Sequence, residues 1–146
     1  MADLARLVAD DGAVPNRGTV PRAVRTLLKL GDQELAQRIV DSIEPRTAAD
    51  ELSLASSRAQ LAEAAGDHVD AARRYRDAGD GWEAFGSIPE QAYARLGEGR
   101  SLAALGDAGA VAALSQAREL FASLGYAPAL AETAALLAAT PLETSL

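Results

Sequence analysis

Few residues in this chain have types and spacings that could do chemistry. The one histidine, His68, directly follows Asp67 and has no second His, no Cys and no spaced acidic pair beside it. A metal site needs three or four converging ligands, so His68 reads as a plain surface residue. Ser56-Ser57 has no His or Lys at helical spacing to take a proton, so no nucleophile is set up. Asp10-Asp11 lies in polar sequence with nothing to shift its pKa values. Gly97-Glu98-Gly99 looks like part of a phosphate loop but lacks the following Lys-Ser/Thr and falls inside a helical stretch, where small residues serve close packing. The one basic cluster is Arg73-Arg74-Arg76. Asp70, Asp77 and Asp80 lie four residues from Arg74, Arg73 and Arg76 respectively. That spacing predicts i,i+4 ion pairs worth about 0.3 kcal/mol each rather than an anion site. These residues predict no catalysis, no cofactor and no metal.

The scaffold that would position any such group is helical. Gly31-Asp32, Gly66-Asp67 and Gly106-Asp107 each separate two stretches of helical character, roughly 35 to 40 residues apart. Gly can take the left-handed conformation that closes a helix, and Asp can accept from the free N–H groups opening the next. Residues 1–18 read as a short helix and a breaker-rich loop, 19–140 as a helical repeat domain and 141–146 as a tail. Hairpins are predicted over 19–43, 47–86 and 88–125, with a capping helix over 128–139. Thr47 is expected to cap the helix that ends at Ala65-Gly66, and Pro89 to start the one that ends at Leu105-Gly106. Gly79 and Gly81 fall inside the helix after Asp67 and mark either a bend or a tight contact. Trp82 and Phe85 are expected to plug the seam between hairpins.

Composition agrees with an all-α fold. Hydrophobic residues make up 49 % but aromatics only 4 %, so the core is built largely from Ala, Leu and Val. Strand-like alternation is absent. The net charge of −7 argues against direct nucleic-acid binding, which normally requires a basic stripe. The absence of cysteine fits a reducing cytosol. No apolar run approaches the ~18 residues of a membrane span, and the acidic N-terminus has the wrong character for a secretory signal. A cytoplasmic protein is expected.

Set on their Gly-Asp steps, the hairpins resemble tetratricopeptide repeats. In the middle repeat the family's small residues fall on Ala59, Ala71 and Ala78, with its second-helix aromatic on Tyr75. Ala36 matches in the first repeat, where Val24 replaces a small residue. In the last, Gly99 matches, while Ala110, Leu114 and Ala117 fit with a turn one residue short. Leu30-Gly-Asp-Gln-Glu-Leu-Ala, Trp82-Glu-Ala-Phe-Gly and Ala117-Arg-Glu-Leu-Phe-Ala-Ser-Leu-Gly125 are similar to the C-terminal repeat region of large bacterial ATP-dependent transcriptional regulators and cyclases.

The resemblance implies a short right-handed superhelix of stacked antiparallel hairpins, an α-solenoid, with a groove lined by the first helix of each hairpin. Carried over position by position, that groove takes Arg25, Leu28 and Lys29 from the first hairpin. The second gives Ser53, Ser56, Gln60 and Glu63, and the third Tyr93, Leu96 and Arg100. The partner-binding residues expected are therefore Arg25, Lys29, Ser56, Gln60, Tyr93 and Arg100. Two guanidinium groups in an acidic protein suit an acidic peptide or chain terminus. The implied function is a non-catalytic protein-interaction module, a sensor or adaptor in a bacterial regulatory system, with no direct contact to nucleic acid or membrane. The alternative is self-association, or intramolecular assembly, through the C-terminal helix, where Leu130, Leu136, Leu137 and Leu142 supply apolar surface.

Overall fold

The computed structural model describes residues 20–140. The N-terminal helix and loop expected over 1–18 and the tail over 141–146 lie outside the described residues. Every regular element among them is an α-helix: α1 (Val20–Lys29), α2 (Gln33–Ser42), α3 (Ala48–Ala64), α4 (His68–Phe85), α5 (Ile88–Ala104), α6 (Gly109–Leu124) and α7 (Ala127–Ala139). The fold is all-α, and each helix packs on its neighbours in sequence. Beyond that, α1 packs on α3 and α3 on α5, which brings these alternate helices side by side.

The three Gly-Asp steps close helices in one way. Gly31, Gly66 and Gly106 take φ of +82°, +84° and +68°. The next amide then turns back into the helix it leaves, with Asp32 N–H donating to the Leu27 carbonyl at 2.9 Å, Asp67 to Ala62 at 3.0 Å and Asp107 to Leu102 at 2.9 Å. Asp32 and Asp67 accept from the amides of Leu35 and Asp70, three residues on, and so open α2 and α4. Asp107 instead accepts from Gly109, two residues on, at 2.7 Å. There the helix starts one residue later relative to its step, yet Ala110 is as fully buried as Ala36 and Ala71. Thr47 caps α3 through a reciprocal box with Asp50.

One cluster, around Val24, Leu27, Val40 and Leu54, fills the space between α1, α2 and α3. Another, around Leu96, Leu114 and Phe121, fills the space between α5, α6 and α7. The middle is a seam of small residues, with Ala59, Ala71 and Ala78 all but inaccessible. Its glycines answer the choice between bend and contact. Helix α4 runs unbroken through Gly79 and Gly81. A Cβ at Gly79 would lie 2.9 Å from the Arg95 guanidinium, and one at Gly81 would strike Leu52. Both mark close approach.

Two expectations need correcting. Trp82 is buried, and its indole N–H donates to Ser56 at 2.8 Å, but Phe85 stands 55 % exposed against its edge and plugs nothing. The ladder of i,i+4 ion pairs on α4 survives only in part. Asp70 binds Arg74 at 2.7 Å and also Arg73, and those bonds hold its carboxyl below its ordinary value. Asp80 leaves Arg76 for Arg95 on α5, at 2.6 Å. Arg95 is the more deeply buried cation and collects Glu98 and Glu83 as well, because an unpaired charge there would be far costlier than one on the surface.

Candidate functional site

Helices α1, α3 and α5 enclose a half-open cavity of about 390 Å³. All six residues expected to bind a partner (Arg25, Lys29, Ser56, Gln60, Tyr93 and Arg100) line it, although three different helices supply them. Most of its exposed lining is apolar, from Leu28, Ala64, Ala94 and Leu96 among others. A second, more polar space of about 480 Å³ adjoins it, sharing Arg25, Lys29, Glu90 and Tyr93 and adding Arg22 and Tyr126. Arg22, Arg25 and Lys29 share one face of α1 by helical spacing.

The six residues divide by what their polar atoms already do. Gln60 is buried, and its side-chain amide donates to the Pro21 carbonyl at 3.0 Å, tying α3 to the start of α1. Ser56 is buried and accepts from Trp82. Arg100 is held on one side by Glu63, with Nη2 donating to Oε1 at 2.7 Å and Nε to Oε2. On its other side Nη1 donates to Glu132 of α7 at 3.1 Å. Tyr75 donates to the same Glu63 Oε1 at 2.7 Å. Burial works against the charge on Arg100, but the Glu63 bonds and the surrounding carboxylates outweigh it and hold the guanidinium charged more firmly than usual. Burial, followed by the nearby Glu63 charge, pushes the Tyr75 phenol well above its ordinary range.

Arg25 is different. Its guanidinium lies 3.8 Å over the ring of Tyr93, which is itself braced edge-on by Phe121 at 5.0 Å between centroids. The nearest carboxylate oxygen, on Glu90, is 3.8 Å away, beyond hydrogen-bonding distance. Lys29, one turn along α1, is exposed and makes no ion pair among the described residues. The groove therefore holds one arginine whose donors are engaged and a second whose donors are open.

Glu90 and Glu132 were not among the residues expected in the groove. Glu90 sits in the first turn of α5 and points at α1, a contact that no local pattern announces. Glu132 did leave a signal, as the single charged residue of α7. Burial pushes the Glu90 carboxyl up, with the Arg25 charge only partly opposing it. The folded state therefore holds the proton more tightly than the unfolded chain, and ionising Glu90 costs stability as pH rises above the ordinary carboxylate range. Glu90→Gln is expected to raise the melting temperature at pH 7 by on the order of 2 °C. The gain should vanish as pH falls below the unfolded pKa, where both forms are neutral. Paired thermal melts across pH 4 to 8 check this, and a gain that persists at the acid end would contradict it.

Among the described residues no group of three or more His, Cys, Asp or Glu could hold a metal ion, and no helix is long and apolar enough to cross a membrane. No family profile, curated protein or solved structure matches the chain.

Proposed function

We propose that the chain is a protein-interaction module of the tetratricopeptide type, its hairpins stacked in a short right-handed superhelix, binding a peptide or partner helix in the groove over α1, α3 and α5. The observation that carries this reading is the convergence of six residues, picked from three hairpins by repeat register, on one largely apolar cavity. A pre-formed concave surface with a few polar groups is what peptide recognition needs. Arg25, Lys29 and Tyr93 are the contacts, because their polar edges are open. Ser56, Gln60 and Arg100 hold the walls through Trp82, Pro21 and Glu63. An acidic segment suits the α1 edge. A sensor or adaptor role in a cytoplasmic bacterial regulatory system extends the same reading and rests on the repeat resemblance.

The rival, self-association through α7, has less apolar surface to draw on than the leucine count suggests, since Leu130, Leu136 and Leu137 pack against the Phe121 cluster. The test is affinity capture from cognate lysate, comparing wild type with an Arg25→Gln, Lys29→Glu variant. A protein retained by wild type at least tenfold better than by the variant supports the groove. Equal recovery of the same protein from both refutes it. A mass that rises with concentration in both would favour the rival.

A further inference from the structure

The groove contains its own demonstration of what satisfies an arginine. Arg100 meets the carboxylate of Glu63 with two parallel N–H donors, the planar fork-to-fork pairing of these groups. Arg25 lines the same cavity with no such partner, and among the described residues no acceptor bonds its guanidinium. Its guanidinium is seated over the Tyr93 ring, 3.8 Å from the centroid, while its donors are free. The geometry points to a second binding capacity of this cavity, for a small apolar monocarboxylate whose carboxylate pairs with the edge of Arg25 and whose hydrocarbon body fills the space beside Leu28, Ala64, Ala94 and Leu96.

Three features set that chemistry. The lining beyond Arg25 is mostly apolar and its volume of about 390 Å³ lies in the range of small-molecule sites, so the body is a compact hydrocarbon rather than a sugar or nucleotide. The flat guanidinium fork matches a planar oxyanion, and Lys29 in the same lining adds a point charge of the same sign. Glu90, 3.8 Å from Arg25, repels a second negative charge, which selects a monoanion over a phosphate or dicarboxylate. The ligand and a bound peptide would share Arg25, so the acid would act as a competitor for the groove. This inference rests on the cavity and on Arg25, and it stands or falls apart from the peptide reading.

Octanoate and 1-octanol, one tail with and without the charge, are the probes. Each is titrated into the purified full chain and followed by NMR through backbone amides and the Arg25 Nε–H. Octanoate is expected to bind at least tenfold more tightly than octanol, shifting the Arg25 Nε–H and the amides around Leu28 and Ala94. Arg25→Gln should erase the preference for octanoate, with far-UV circular dichroism confirming that the variant is folded. Lys29→Gln, at an exposed position, should weaken octanoate about threefold. Ala64→Phe, which fills the cavity from an exposed position, should weaken both probes. No saturable octanoate binding by about 10 mM would overturn the inference. So would equal affinity for octanol, or shifts confined to other surfaces. Because the titration needs no partner, its failure leaves the peptide reading standing, and a failed capture experiment leaves this one standing.

Discussion

Replacing Gly97 with alanine is expected to destabilise the protein by about 3 kcal/mol, although alanine is the better helix former by roughly 1 kcal/mol. Gly97 lies within α5 against the ring of Tyr75, and a Cβ there would penetrate the ring, reaching 2.6 Å from Cδ1 and closer still to Cε1 and Cζ. The ring has nowhere to go. It is 3 % exposed, packs on Ala59 and Ala71, and its hydroxyl is bonded to Glu63. Overpacking of this kind costs about 1–3 kcal/mol, and losing a hydrogen bond to a charged group costs about 1.5–3 kcal/mol. Set against the helix-propensity gain, the balance is a melting temperature lower by on the order of 10 °C. Gly109→Ala is the control. It sits at the start of α6, where a Cβ would find Leu102 at 3.5 Å and Asp107 at 3.2 Å, and it should be near neutral. Chemical denaturation of both variants gives the comparison. Equal stability of Gly97→Ala and wild type would mean that α4 and α5 do not approach so closely.

The same contact shows what was and was not legible from residues alone. The helices were readable because their punctuation is local: a left-handed glycine and a capping Asp or Thr act within a few residues of themselves. The small positions Ala36, Ala71 and Ala110 were readable because each follows its Gly-Asp step at a nearly constant distance, and one displaced start in α6 did not disturb the burial. Which carboxylate answers which arginine was not readable. Asp80 sits at ideal spacing for Arg76 but faces Arg95 across the α4–α5 seam, where desolvation makes a partner matter more. Arg25 and Arg100 line the same cavity, yet Glu63 and Glu132 engage one while Glu90 stops short of the other. Those differences come from neighbours far apart in sequence. Phe85 failed for a related reason, since Trp82 already fills the seam and leaves its neighbour outside.

Glu63 is the second position where a large effect is expected, and it separates walls from contacts in the groove. Glu63→Ala should cost about 3 kcal/mol, the lower end of what removing one partner of a buried ion pair costs, because Arg100 retains 36 % of its side-chain exposure. Two groups lose an acceptor at once, the Arg100 fork and the Tyr75 hydroxyl, and only Glu132 remains for the former. Removing Arg100 alone should cost less, and removing both should cost clearly less than the sum. The coupling in a Glu63→Ala, Arg100→Ala cycle is expected to exceed about 1 kcal/mol. Glu132→Gln, a half-exposed single bond, should cost well under 1 kcal/mol. Additive losses would mean that the two side chains do not act as a unit, and Arg100 would then be free to serve as a ligand contact. Coupled losses fix it as the brace that ties α3 and α5 together and reaches α7, leaving Arg25 as the groove's open guanidinium.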